Sequence, residues 1–291
     1  SSDLNDKSYI NTVIGTTYSA SDFNLDTINA VNQEANRAVI NQTHRTYYTV
    51  NTAYNSKINS RLFVKIGAQA DLMQLNLFYK YRRYQPDWTQ VWNYKDLTTL
   101  LQAYAHAKYS INDKLTLNGG LHAQYLTLNQ SVSVEPRLGL KYAVNEKGSI
   151  NVGYGLHSQM QSTDVYFYRA PKPDGTYDES NQDLDFTRSH HFVVGYDFLP
   201  SRDWRIKSEV YYQYIFNVPV ADTANSFSML NNGASFNPLN QGYLVNKGTG
   251  TNYGVELTVE KFFSKGYYGL FTGSLYESKY KGSDGIEHNT A

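Results

Sequence analysis

Three stretches of this chain hold residues of the types that do chemistry. His190 and His191 are adjacent, DESNQDLD at 178–185 gathers acidic and amide side chains, and FYKYRRYQPDWTQVWNYKD at 78–96 crowds aromatics with arginines. Adjacent histidines on an extended segment point to opposite faces and cannot share one ion without distortion. The acidic stretch lacks the central glycine and closing glutamate of an EF-hand loop. No metal or cofactor is therefore expected. The third stretch is the main ligand-binding candidate. Tyr81, Arg82, Arg83, Trp88 and Trp92 could stack on sugars, peptides or aromatic chelators and pair with anionic groups. The same residues could equally pack the loop on itself or on a surface lipoprotein. YFYRAPKPDGTY at 166–177, with Tyr166 and Arg169, is a second candidate. The chain has no nucleophile elbow, phosphate loop or zinc motif, and its carboxylates are scattered. No enzyme is predicted.

The elements that must position these groups show one dominant pattern. In VEPRLGLKYAVNEKGSINVGYGLH (134–157), Val134, Pro136, Leu138, Leu140 and Tyr142 alternate with Glu135, Arg137, Gly139 and Lys141. After a turn at 145–148 the alternation resumes with Ile150, Val152, Tyr154 and Leu156. This is a hairpin with one apolar and one wet face. About eleven such segments recur, near 8–18, 44–56, 60–70, 98–110, 114–127, 133–143, 148–157, 188–199, 203–217, 250–263 and 267–277. Many run to ~10–15 residues, against a mode of ~5–6 for strands of globular proteins.

The connections alternate too. NSKINS, SINDK, VNEKG, PSRD and FSKG are tight, whereas 19–43, 71–97, 158–187 and 218–249 are long and only 128–132 breaks the rule. Such sorting is the loop asymmetry of an outer-membrane barrel, with short periplasmic turns and long extracellular loops. Tyr54, Tyr109, Tyr142, Phe198, Trp204, Phe263 and Tyr267 lie beside the tight turns, mostly on the apolar parity. They predict an aromatic girdle at a membrane interface. The opposite parity carries Gln102, His106, Lys108, His122, Gln124, Glu135, Arg137, Lys141, Arg205, Lys207, Glu209 and Glu256. A Lys or Arg facing lipid at mid-depth costs ~2–4 kcal/mol, so this face must be wet.

Composition agrees. The formal net charge is zero, which removes the electrostatic case for nucleic acid. There is no cysteine, and tyrosine is abundant at 27 residues, the raw material of the girdle. Mean hydropathy is −0.55 and no apolar run approaches the ~20 residues of a membrane helix, which leaves strand crossings open. No signal peptide is visible at 1–10, so a processed or truncated chain is expected. One segment departs from alternation. Leu25, Ile28, Val31, Ala35, Ala38 and Val39 have helical spacing after Asp22 and Asn24, predicting a short helix inside the first long loop.

Residues 134–161, 184–220 and 246–263 carry a series of short motifs: E-P-R before an alternating strand, Y-G-x-H-S-Q before a long loop, S-x-H, E-x-Y-Y-Q with V-P, and Y-G-x-E. In this order they resemble the barrel of TonB-dependent outer-membrane receptors, particularly the Bacteroidota type. The match is most specific over roughly 130–280. The resemblance implies a barrel of about twenty-two strands around an N-terminal plug, energised by the TonB complex through that plug. It implies active nutrient import across the outer membrane of a Gram-negative cell, with a surface lipoprotein as a possible partner.

The chain shows no plug-like segment, so 1–291 is expected to be a partial barrel domain, an all-β antiparallel meander of about half a barrel whose partners are lipid, the plug and the remaining strands. The alternatives are a passive porin-type barrel that closes on itself, and a soluble β-rich glycan- or protein-binding module whose apolar parity is a core.

Overall fold

The computed structural model describes residues 2–82, 87–232 and 243–290. Strands β1 (Ser2–Asn5), β2 (Ser8–Ile28), β3 (Ala35–Lys57), β4 (Leu62–Tyr81) and β5 (Thr89–Ser110) open the chain. β6 (Leu115–Leu126), β7 (Ser131–Ala143) and β8 (Gly148–Gln159) follow. A long connection then holds helix α1 (Thr163–Tyr166) and two short arms, β9 (Ala170–Pro171) and β10 (Tyr177–Asp178), which pair with each other. β11 (Thr187–Ser201), β12 (Trp204–Ala221), β13 (Leu244–Ser264), β14 (Tyr267–Lys281) and β15 (Glu287–Asn289) complete it. Apart from β9 and β10, every strand joins one 13-stranded sheet in chain order, each pair antiparallel.

The eleven long strands coincide with the eleven alternating segments. Two expectations for the first loops are corrected. The helix expected between Asp22 and Val39 is absent: β2 runs on to Ile28, residues 29–34 turn, and β3 begins at Ala35. Leu25 pairs with Val39 and Ile28 with Ala35 across this hairpin, so the helical spacing was coincidental. The one α-helix described is α1. Likewise most of 19–43 and 71–97 is strand, making β2 to β5 20–23 residues long. The distal half of β3, at Thr43, His44, Arg45 and Thr46, carries polar residues on both faces, while that of β4 puts Met73, Leu75 and Leu77 on the parity that is polar elsewhere. Where the polarity of the two faces converges or inverts, alternation fades from the sequence while the backbone ladder persists.

The tight turns have a local cause. Asn59 Oδ1 accepts from the amides of Arg61 and Leu62, Asn112 Oδ1 from those of Lys114 and Leu115, and Asn145 Oδ1 from that of Lys147. Each asparagine mimics a backbone turn. The β13–β14 turn instead places Lys265 and Gly266 at φ of 53° and 85°, the left-handed pair that a two-residue hairpin demands.

The two faces differ as the alternation requires. Cross-strand rows of apolar side chains run around one face: Leu117 opposite Leu140, Leu140 opposite Val152, Val152 opposite Val194, Val194 opposite Val210, Val210 opposite Val255, Val255 opposite Leu275. Nothing covers them. Leu138 is 55 % exposed, Val194 53 % and Val210 58 %. A soluble module would have sealed this stripe between two layers, so that alternative falls. The girdle residues Tyr54, Tyr109, Tyr142, Trp204, Phe263 and Tyr267 are also exposed, ringing the short-turn end.

The main apolar core lies elsewhere. Residues 160–186 fold over the polar-parity face near the long-loop end, where Val165, Tyr166, Phe167, Tyr168, Leu184 and Phe186 pack on Met73, Leu75, Leu77, Trp92 and Leu126.

Candidate functional site

Below that cap, the polar face carries a nearly continuous belt. Asn51 Nδ2 donates to Gln69 Oε1 at 2.8 Å, and Thr49, Gln69 and Gln102 all donate to the Asp71 carboxylate at 2.7, 2.8 and 2.9 Å. His122 spans Gln102 (3.1 Å) and Glu135 (2.9 Å). Glu135, with its side chain 1 % exposed, also accepts from Gln124 and Arg137. His157 and His191 face each other across β8 and β11, and Gln213, Asn252 and Ser278 carry the belt to β14. Ten strands contribute. Alternation puts one or two such residues per strand at this height, and antiparallel register aligns them. A surface this polar, backed by an apolar stripe, is what a water-filled interior requires.

The predicted ligand residues are distributed around the long-loop rim. Trp92 and Tyr166 are buried, at 7 % and 0 % exposure, within the core that seats the cap. Trp92 Nε1 donates to the Asp164 carbonyl at 3.1 Å, and Arg45 of β3 pairs with the Asp164 carboxylate. Burial pushes the Tyr166 phenol up to about 12. Tyr81 packs at the edge of that core beside Tyr79. Arg82 and Lys80 both stack on the half-buried Trp88 ring, 4.9 and 4.6 Å from its centroid, and Arg82 Nε donates to the Arg37 carbonyl. Arg169 stacks on Tyr177 at 4.2 Å and pairs with Glu179 at 2.6 Å. Arg83 lies outside the described residues. The Tyr177 hydroxyl accepts from the Gln90 amide at 3.0 Å, which ties the second loop candidate to the first.

The two loop stretches thus meet at one rim, with Lys80, Arg82, Trp88, Arg169 and Tyr177 as its accessible cation–aromatic set. Sequence reading did not single out Lys80 or Tyr177, which lie two residues from Arg82 and eight from Arg169. In the acidic stretch, Asp178 is held below the usual carboxylate range by Ser180, and Asn181 is buried, its Oδ1 accepting from the Leu244 amide at 2.7 Å. No group of three or more metal-ligating side chains is found among the described residues.

A single-layer meander with a lipid-type stripe, one short-turn end with a girdle and a polar opposite face is the wall of an outer-membrane β-barrel. The chain belongs to the family described as TonB dependent receptor-like, beta-barrel, whose model matches residues 2–290. This is a family of receptors and transporters, not enzymes. Among solved structures, the ferric-catecholate import receptor Fiu of Escherichia coli K12 is similar at 13 % identity and a TM-score of 0.68, over 98 % of this chain and 47 % of that one. The ferripyoverdine receptor of the Pseudomonas aeruginosa outer membrane, bound to ferripyoverdine, is similar at 14 % identity and a TM-score of 0.64, over 97 % and 39 %. The outer membrane transporter YddB of E. coli gives 10 %, 0.66, 98 % and 44 %. Identities this low establish the fold. The chain spans less than half the length of each. A comparison with curated proteins found no match.

Proposed function

We propose that this chain is one part of the barrel of an active nutrient importer, closed by further strands around a plug that couples to TonB. The observation that carries the reading is the pairing of a continuous polar belt on one face with an uncovered apolar stripe on the other. Two free sheet edges, at β1 and β15, support the need for further strands. Each unpaired backbone group at membrane depth costs several kcal/mol, and the sum over two edges is on the order of tens. The similar structures, more than twice as long, support the same completion. A passive self-closing porin would instead pair these two edges with each other, and β1 and β15 lie at opposite ends of the strand order.

In this reading cargo is captured at the rim by Lys80, Arg82, Trp88, Arg169 and Tyr177, with Tyr81 shaping the floor and Trp92 and Tyr166 holding the cap. The plug then rearranges and the cargo passes along the belt. The motif series supports a Bacteroidota origin, and a surface lipoprotein is a further candidate partner for the same rim. The test is uptake by cells carrying the complete protein. Uptake should require an intact TonB system, and Trp88→Ala with Arg169→Ala should lower ligand affinity about tenfold or more. Diffusive uptake that persists without TonB would instead establish the porin.

A further inference from the structure

The belt is stitched by hydrogen bonds except at His157 of β8, which bonds neither to the Glu135 cluster of β7 nor to β11. There His157 and His191 meet with ring centroids 4.8 Å apart and planes at 58°. They come from the Y-G-x-H and S-x-H motifs, residues 154–157 and 189–191, and neither was visible as a partner of the other in sequence. Register brings them together: Gly155 is opposite His191 and His157 opposite Ser189, so both rings lie on the polar face one diagonal step apart. Gly155 makes the approach possible. A Cβ there would lie 2.6 Å from His157 Nε2, so the ring leans back over the glycine along its own strand, which sets it beside His191.

Two groups at this point are chemically unspent. His157 makes no hydrogen bond through its ring nitrogens among the described residues. Ser189 Oγ, directly across from it, is buried with no partner. His191 Nε2 accepts from Gln213 Nε2, which fixes the tautomer that presents a lone pair there. Gln213 is itself held by Asn252 at 2.8 Å. The nearest cation, Arg137, is neutralised by Glu135 at 2.9 Å.

We infer that His157 and His191 form a two-histidine site for a divalent transition-metal ion on the interior wall. Rings whose centroids lie 4.8 Å apart are close enough for one nitrogen of each to reach a shared ion ~2.0–2.1 Å away once the rings turn toward it. Imidazole pairs suit Cu2+, Ni2+ and Zn2+, and the remaining positions face the interior, open to water or to donor atoms of a passing solute. On binding, the ion takes over the His191 lone pair from Gln213, so the His191 ring turns from β12 toward His157. His190 has no part in it: its ring is on the apolar face, stacked against Phe216 and bonded to the Tyr154 hydroxyl.

The probe is Cu2+ alone, titrated into the tag-free complete protein in detergent and read by calorimetry and electron paramagnetic resonance. The expected result is one site with two nitrogen ligands. His157→Ala and His191→Ala should each remove one nitrogen from the spectrum and weaken binding at least about tenfold. Gly155→Ala should weaken it by displacing the His157 ring, and His190→Ala should leave it unchanged. His157→Gln serves if the alanine variant does not fold. Absence of binding, or binding that survives His157 and His191 substitution with its nitrogen pattern intact, overturns the assignment. Because the readout is metal binding, its failure would leave the import reading untouched.

Discussion

Glu135 is the most consequential single residue in the wall. Its carboxylate is almost wholly buried and gathers His122, Gln124 and Arg137, so removing it strands three donors at once. Glu135→Ala should destabilise the folded barrel by about 3–5 kcal/mol, measured by urea unfolding in vesicles, whereas Glu135→Gln, which keeps an acceptor, should cost less. Tyr166 is the equivalent residue of the cap, with no exposed surface. Tyr166→Ala should weaken cap docking by about 3–5 kcal/mol and make residues 160–186 sensitive to protease while the strands stay intact. The same residue gives the cap a pH dependence. Its phenol is raised to about 12 by burial, so docking is fully present below pH ~10, where the free phenol begins to ionise, and is lost as pH rises through about 12. Proteolysis of the cap against pH, read beside tyrosinate absorbance, checks the sign. A cap that loosens on acidification instead would contradict it.

At the scale of elements, the β7–β8 pair is the irregular one. β6 and β7 pair along their whole length, but the β7–β8 ladder ends at Arg137 and Gly155, although both strands run on. Pro136, the next residue of β7, has no amide to donate, which is why the ladder stops there. Side chains close the gap: Ser133 meets Ser158 at 2.5 Å, Gln124 donates to the Ser158 carbonyl, and Arg188 reaches from β11 to the Val132 carbonyl at 3.1 Å. Hydrogen exchange should therefore be faster at 131–136 than at 137–143. Arg188→Ala should raise it further around Val132 without affecting the β11–β12 pair. Equal protection along β7 would show that the seam is closed in solution.

For the whole molecule, the decisive contrast is between the two faces. Val255→Arg should cost about 2–4 kcal/mol in a bilayer, while Gln102→Arg on the opposite face should cost far less and alter solute passage instead. The measurement is unfolding of the complete barrel in vesicles. If both substitutions cost the same, lipid is not the neighbour of the apolar stripe.

How much of this was legible beforehand follows from what each feature depends on. Strand positions over 98–157 and 188–277, the tight turns and the girdle were all readable, because each is set by a residue and its near neighbours against a solvent. Parity says which side is oily, and Asn59, Asn112 and Asn145 say where the chain turns. The extensions of β2 to β5 were hidden, since the polarity of the faces converges at Thr43–Thr46 and inverts along Met73, Leu75 and Leu77 while the ladder is unchanged. The cap over Met73, Leu75 and Leu77 was hidden as well, because those apolar residues sit on the nominally wet parity and only a chain segment about ninety residues away explains them. The rim and the His157–His191 contact lie in the same category. A strand's own sequence fixes its faces, but which side chain stands beside which across a ladder is fixed by register, by one proline and by the path of a long loop, and these exist only once the sheet has assembled.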